Sequence, residues 1–212
     1  MIRVLLVDDH ALFRQGLREV LGKAPDLRVV AEAGSYAQAI DVLRGSDVGV
    51  VVADLSMPGR DGIDLIGHIK ASSPAVSILV LTMHEDCEYA TRALRAGASG
   101  YMTKASSSEE LISAIRRIAS GRSYVSPAVS EGLMMRFTRS DSETPPHTML
   151  SHREFRIFEL LVKCQTTTRI ARELSLSVKT VSTHKTRLLK KMGMHHQGEL
   201  VKYAIEHKLV GH

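Results

Sequence analysis

The stretch "VLLVDDH" (Val4–His10) sets four apolar residues directly against two adjacent aspartates. An unbroken apolar run suits a strand covered on both faces. Two carboxylates at its end do not suit burial, because like charges about 4 Å apart repel by roughly 4 kcal/mol at an effective dielectric of 20. Some positive partner must offset that repulsion, and the rest of the chain indicates what it is.

Working outward, the same kind of run recurs as "LRVVAEA", "VGVVVA", "SILVLT" and "GYMT", after the opening "IRVLLV". Between and after these runs lie "ALFRQGLREVLGK", "YAQAIDVLR", "GIDLIGHIKAS", "CEYATRALRAGA" and "SEELISAIRRIAS", whose apolar residues fall at helical spacing, as Leu111, Ile112, Ile115 and Ile118 do. Ser107 with Glu110 forms a capping-box signature. Five strand–helix units predict an α/β fold, a doubly wound, flavodoxin-like, five-stranded parallel sheet with helices on both faces.

The chain has 212 residues, 44% of them apolar, enough for two small domains with real cores; aromatic content is 4% and there is no Trp, so those cores are built from aliphatic side chains and Met. Cys87 and Cys164 lie far apart with no metal-like spacing, which fits a reducing compartment. The N-terminus turns acidic too soon for a signal peptide, and no apolar run approaches membrane-span length, so a cytoplasmic protein with no membrane partner is expected. Residues 1–122 carry 14 Lys and Arg against 15 Asp and Glu, a net of −1, whereas residues 149–212 carry 12 against 5, a net of +7. A near-neutral front and a basic back predict two domains, the second facing a polyanion.

The sequence predicts domains at 1–121 and 149–212, joined by a linker at 122–148. In that linker "SPAVSEGLMMRF" predicts a short helix capped by Ser126, with Pro127 in its first turn and Val129, Leu133 and Phe137 on one face. "TRSDSETPPHT" reads as open chain. From Ser151 onward the pattern is all-α with four helices. "SHRE" is a second capping box, opening a helix to about Lys163 with Phe155, Phe158 and Leu161 as core candidates. A short helix at about Thr167–Leu174, the turn "SLS", a longer helix at about Val178–Met192 ended by Gly193, and a last helix at about Gln197–His207 complete it.

In a doubly wound sheet, ligands bind beyond the carboxyl ends of the strands where strand order reverses. Asp8 and Asp9 end the first strand and Asp54 ends the third, in "VVVADLSMPGRDG"; in the order 2-1-3-4-5 these strands are neighbours. Mg²⁺ then answers the opening question, since this hard cation takes carboxylates, a carbonyl, waters and phosphate oxygens. Thr82 ends the fourth run and Lys104 follows the fifth. A carboxylate nucleophile, a divalent ion, a hydroxyl and an ammonium suit phosphoryl transfer onto aspartate. Singly, each signal is as well explained by a cap or a surface residue; together, at four strand ends of one fold, they point to one chemistry.

The motifs "VDDH", "DLSMPGRDG", "LTMHED" and "GYMTK" resemble those of the receiver domain of two-component response regulators. The resemblance implies that Asp54 is phosphorylated, that Asp9 is a direct metal ligand, that Asp8 helps hold the metal through water, and that the Ser56 carbonyl is a further ligand. It implies that Thr82 and Tyr101 form a switch pair, that Lys104 contacts the phosphoryl group, and that Pro58 and Gly59 shape the acceptor loop. The cognate partner would be a sensor histidine kinase.

The short helix, turn and longer helix suggest a helix-turn-helix. Val181, His184, Leu188 and Met192 form an inward stripe, which favours packing for His184. Lys179, Ser182, Thr183, Thr186, Arg187 and Lys190 lie off it, three cations and three hydroxyls with no acid, as a helix in the major groove requires. "LSHRE" and "IARELSLSVKTVSTHKTRLLKKMGM" resemble the LuxR-type effector domain of NarL/FixJ response regulators. That resemblance implies that the helix from Val178 reads double-stranded DNA and that the last helix, around Leu200 to Leu209, helps a homodimer form on phosphorylation. One departure is "KCQTTTR", with Cys164 where the family usually has glycine. A Cβ in a left-handed cap costs roughly 1 kcal/mol, and Thr166 or Thr167 is left to cap the next helix. Cys164 reads as a plain semi-buried thiol.

The expected function is a transcription regulator switched by aspartyl phosphorylation, not a turnover enzyme. A phosphatase passing through an aspartyl-phosphate usually has an Asp-x-Asp pair and a substrate cap, whereas here the acceptor loop is "DLSMPG" and the extra domain is basic and helical. The alternative is a DNA-binding protein whose receiver acts independently of phosphorylation, which the full set of Asp8, Asp9, Asp54, Thr82 and Lys104 disfavours.

Overall fold

The computed structural model describes all residues except 56, 58–61, 84–86, 139–144, 208 and 210–212. The chain divides into two compact units, Met1–Arg139 and Ser140–His212. In the first, β1 (Ile2–Val7), β2 (Leu27–Ala33), β3 (Val50–Ala53), β4 (Ser77–Thr82) and β5 (Gly100–Thr103) alternate with α1 (Ala11–Gly22), α2 (Tyr36–Gly45), α3 (Gly62–Ser72), α4 (Cys87–Arg95) and α5 (Ser108–Ala119). The strands pair in parallel in the order β2-β1-β3-β4-β5-β6, so order reverses between β1 and β3.

The sheet therefore has six strands, where the sequence predicted five. The sixth, β6 (Tyr124–Val125), is two residues long, too short to carry any periodicity. It forms because the edge of β5 still offers carbonyls: Tyr124 N–H donates to Ser99 O at 3.1 Å and Ser126 N–H to Tyr101 O at 3.0 Å.

The two faces of the sheet follow from strand alternation. Val4, Leu6, Val50, Val52, Leu79, Leu81 and Met102 form one core with Leu17 and Leu21 of α1 and Leu111, Ala114, Ile115 and Ile118 of α5, while Ile112 is only partly buried beside it. The alternate residues Leu5, Val51, Ile78, Val80 and Tyr101 are likewise buried, as are Leu65, Ile66 and Ile69 of α3 and Tyr89, Ala90 and Ala93 of α4. Gly62 starts α3 against the chain that follows β3; an added Cβ there would lie 2.5 Å from Leu55 Cα and 3.0 Å from Asp54 O. Only glycine permits that approach.

The predicted helix after β6 is α6 (Pro127–Thr138), with Val129 buried and Leu133 partly so; the Phe137 side chain lies outside what is described. Ser126 does not cap it through its side chain: its Oγ is buried with no hydrogen-bond partner among the described residues. The Ser126 carbonyl instead accepts from Val129 and Ser130 N–H at 3.1 and 2.9 Å. α6 lies against α4.

The second unit holds α7 (His152–Val162), α8 (Thr167–Glu173), α9 (Val178–Met192) and α10 (Gln197–Glu206), the four helices predicted. Phe155, Phe158 and Leu161 of α7 are buried as expected, as are Ile170, Val181, Leu188 and Leu200 of the three helices that pack with it. Most of the segment read as open chain, 139–144, lies outside the described residues, but its end does not stay open. Pro146–Met149 forms a 3-10 helix because His147 is buried, with Nδ1 2.7 Å from the Tyr203 hydroxyl.

A cap and an ion pair, both made by Glu154, tie α7 to α9. Ser151 and Glu154 make the full capping box on α7, and Lys191 of α9 places Nζ 2.6 Å from Glu154 Oε2. Burial pushes the Glu154 carboxyl up, but hydrogen bonds from Lys191 and Ser151 outweigh it and hold it below its ordinary 4.5. A lowered carboxylate pKa contributes stability that is present above about pH 4.5 and is lost as pH falls through the folded value. Glu154→Ala is expected to destabilise this unit by about 2–3 kcal/mol, since it removes a charge-assisted bond and a cap. Hydrogen exchange of α7 and α9 amides in the full chain measures this, and the loss should shrink on acidification; protection equal to that of the native chain at pH 7 would refute it.

Cys164 has φ 57, so it does occupy the left-handed position at the end of α7. It is exposed, not semi-buried, because a residue just past a helix end in this conformation is carried to the surface. Thr166 caps α8, its hydroxyl accepting from Arg169 N–H at 3.3 Å. Ser175, in the turn before α9, is also left-handed at φ 53, and Gly193 ends α9 at φ 67.

Candidate functional site

The carboxyl ends of β1 and β3 lie side by side, with Val7 paired to Ala53. Backbone bonds lock the next residues: Asp54 N–H donates to Val7 O at 2.8 Å and Asp8 N–H to Ala33 O at 3.1 Å. Asp8 and Asp54 are buried at 3% and 2% exposure, so their charges need partners. Lys104 supplies one. Its Nζ lies 2.6 Å from Asp8 Oδ2 and 2.7 Å from Asp54 Oδ2. Burial lowers the lysine pKa, but the two carboxylates outweigh it and raise it above the ordinary 10.5. Lys104 is placed by the sheet, since its own N–H donates to Thr82 O at 2.8 Å.

Ligand atoms of Asp8, Asp9, His10 and Asp54 all lie within 4.8 Å of one another. Asp9 Oδ1 is buried and has no hydrogen-bond partner among the described residues. His10 Nδ1 is 3.1 Å from it but off hydrogen-bond geometry, and 3.2 Å from Asp8 Oδ1. One ammonium beside three carboxylates leaves the pocket short of positive charge. An orphaned carboxylate oxygen and this oxygen-rich donor set fit a hard divalent cation.

Thr82 and Tyr101, both fully buried, end β4 and occupy β5, in neighbouring strands. Ser56, Pro58 and Gly59 lie outside the described residues. Three features escaped the sequence reading. His10 joins the acidic cluster, and its place directly after the aspartate pair was an available signal. The guanidinium of Arg14 donates to the Asp8 carbonyl, tying the first turn of α1 to the acidic loop. Phe13 sets its ring 4.4 Å from Lys104 Nζ, a contact no spacing rule would find.

In the second unit, Val181, Leu188 and Met192 of α9 face inward, and His184 is partly buried with its pKa lowered chiefly by burial. Lys179, Ser182, Thr183, Thr186, Arg187 and Lys190 are all exposed on the opposite side. The neighbouring cations are engaged: Lys185 donates to Gln197 Oε1 at 3.1 Å and Lys191 to Glu154. Lys179, Arg187 and Lys190 have no ion-pair partner among the described residues. Thr183 and Thr186 donate their hydroxyls to the Lys179 and Ser182 carbonyls at 2.9 and 3.1 Å. With their protons so engaged, these exposed hydroxyls are left to act as acceptors. The side presents cations and hydroxyl oxygens with no carboxylate. Among the described residues no helix is long and apolar enough to cross a membrane.

Comparison with known proteins bears on both units. Residues 4–116 match the response regulator receiver domain, and residues 148–204 match the luxR family of bacterial regulatory proteins. The response regulator UvrY of Escherichia coli K12 is 35% identical over 209 residues, covering 99% of this chain and 96% of the relative. The response regulator GacA of Pseudomonas aeruginosa is 34% identical over 210 residues, covering 99% and 98%. RcsB from Salmonella enterica serovar Typhimurium, solved bound to promoter rprA with the phosphomimetic BeF3⁻, is 28% identical with a TM-score of 0.66, covering 95% of this chain and 97% of that one. With both unit types in order and relatives alike along their whole length, the chain belongs to the response regulators of the NarL/FixJ type, a receiver domain followed by a LuxR-type regulatory domain.

Proposed function

We propose that the chain is a transcription regulator that accepts a phosphoryl group on Asp54 and binds double-stranded DNA through α9. The observation that carries the first half is Lys104 Nζ set between Asp8 and Asp54 beside the orphaned Asp9 oxygen. Asp8, Asp9 and Asp54, with the Ser56 carbonyl, would hold Mg²⁺, which when bound neutralises charge between carboxylate and phosphoryl oxygens. In the transfer, one Asp54 oxygen attacks phosphorus. The bond from phosphorus to the donor, a phosphohistidine of a cognate sensor histidine kinase or a small acyl phosphate, breaks, and its electron pair leaves with the donor. Lys104 then pairs with the phosphoryl oxygens. The reaction is a single self-labelling and not turnover, and the cytoplasm holds both donor and DNA.

Residues 1–121 act as the receiver, 122–148 as the connecting segment and 149–212 as the DNA-binding domain. Thr82 moves toward the new phosphoryl group and Tyr101 fills the space it leaves. The Tyr101 carbonyl accepts from Ser126 N–H, so a shift at Tyr101 is passed directly to β6 and α6.

On α9, Arg187, Lys179 and Lys190 anchor on phosphates, while Ser182, Thr183 and Thr186 read base edges. Single hydroxyl contacts discriminate less than bidentate Arg or Asn, so the preferred site is degenerate. Arg187→Ala should weaken binding to operator and random DNA alike and reduce the salt slope by about 0.9 per half-site. Thr186→Ala should instead change the ratio between the two. Titrations at several salt concentrations measure both; an unchanged nonspecific affinity and slope for Arg187→Ala would refute the assignment of this face.

A further inference from the structure

We propose that Phe13 is a positioning residue for phosphoryl transfer, its ring face holding the Lys104 ammonium against the carboxylates of Asp8 and Asp54; this rests on the reading of Asp54 as acceptor. Lys104 Nζ lies 4.4 Å from the ring centroid, within the roughly 6 Å over which a cation is drawn to the electron-rich face of an aromatic ring. The same nitrogen touches Asp8 Oδ2 and Asp54 Oδ2 at 2.6 and 2.7 Å, and the Lys104 side chain is 8% exposed. Two charged partners and one aromatic face thus enclose the ammonium.

The ring differs from the carboxylates in what happens to it during the reaction. When an Asp54 oxygen bonds to phosphorus, its negative charge passes to the phosphoryl oxygens, and the electron pair of the broken bond leaves with the donor. Lys104 must follow that charge. Asp8 draws the ammonium back toward its ground-state place. The ring offers a diffuse negative surface with no single acceptor atom, so the ammonium can slide across it without losing the interaction. Phe13 and Lys104 also line an open, mostly apolar pocket of about 420 Å³ with Leu17, Leu81, Met102 and Leu111 and with Ser106, Ser107 and Ser108. With the Lys104 side chain only 8% exposed, little water competes with the ring for its ammonium. The ring is held in register with the acids, since Arg14, its neighbour on α1, donates to the Asp8 carbonyl.

Packing on the lysine stem alone predicts a different outcome from an electrostatic role, and fluorination separates them. It withdraws electron density from the ring face while nearly preserving its shape. The full chain is prepared with 4-fluoro-, 3,5-difluoro- and 3,4,5-trifluorophenylalanine at position 13, and as Phe13→Tyr and Phe13→Leu. Two quantities are read: the rate of Asp54 labelling by acetyl phosphate at saturating Mg²⁺, and the Lys104 ammonium proton shift in nuclear magnetic resonance without metal. The rate should fall stepwise with each fluorine, by about 3- to 10-fold for the trifluoro ring and for leucine, with tyrosine within about twofold of phenylalanine. The ammonium signal should be shifted upfield by the ring in the phenylalanine and tyrosine proteins and not in the leucine protein. Equal rates across the fluorinated series, or the same ammonium shift with leucine, would overturn the role of Phe13 while leaving Asp54 as acceptor. Failure of the native chain to label at all would overturn the acceptor reading, and this role with it.

Discussion

Asp54→Asn is expected to abolish covalent labelling by a phosphodonor in the presence of Mg²⁺. The amide keeps the size of the side chain, but it is a poor nucleophile and cannot form the acyl phosphate. It also removes one of the two carboxylates holding Lys104, whose Nζ lies 2.7 Å from Asp54 Oδ2. Lys104 retains Asp8 at 2.6 Å, so the ammonium stays in the pocket and the fold should survive. Breaking one partner of a buried pair costs stability in general. Here the pocket holds more acid than base, so the loss of one carboxylate relieves repulsion at the same time. Labelling, intact mass and thermal unfolding of the variant give the answer together. A folded variant that still takes up phosphate at the native rate would move the acceptor elsewhere.

The second large effect is on DNA affinity. A single four-helix unit with about six phosphate contacts should bind weakly, near the nonspecific range of roughly 10⁻⁴ to 10⁻⁶ M. If phosphorylation pairs two chains, the second unit binds intramolecularly, and affinity for a two-half-site operator should rise by roughly 10²- to 10⁴-fold. The half-site centres should lie about 10 base pairs apart, one helical turn. Thr82 is fully buried beside the pocket, and Tyr101 is tied through its carbonyl to Ser126. Thr82→Ala should therefore accept phosphate but dimerise poorly and lose most of that gain. Sedimentation and operator titration, each with and without a phosphodonor and Mg²⁺, measure both quantities. A phosphorylated chain that stayed monomeric yet bound its operator more tightly would rule out dimerisation as the switch. The alternative, a receiver that controls DNA binding without phosphorylation, predicts no donor-dependent change in either quantity.

Local and alternating features of this protein were legible in its sequence because they depend on neighbours a few residues apart. The capping boxes at Ser107–Glu110 and Ser151–Glu154 and the left-handed end at Gly193 are of this kind. So is the division of α9 into an apolar and a basic side, which follows from the 3.6-residue period. The approach of Asp54 to Asp8 was legible for a less local reason. Right-handed crossovers and the reversal of strand order leave few ways to arrange such units, and both residues sit at strand ends.

Only the tertiary structure could decide what depends on a meeting between distant segments that share no period. β6 exists because the edge of β5 has free acceptors; its two residues carry no signal of their own. Pro146–Met149 is ordered because His147 meets Tyr203, a partner 56 residues away. Ser126 lies where a cap is expected, yet its N–H is drawn to the Tyr101 carbonyl, only its own carbonyl serves α6, and its hydroxyl has no partner among the described residues. Phe13 falls on the inward side of α1 like any core residue, and only the packed fold brings the Lys104 ammonium over its ring. Periodicity states which side of an element is buried; which group that side meets is set by the packing of the whole unit.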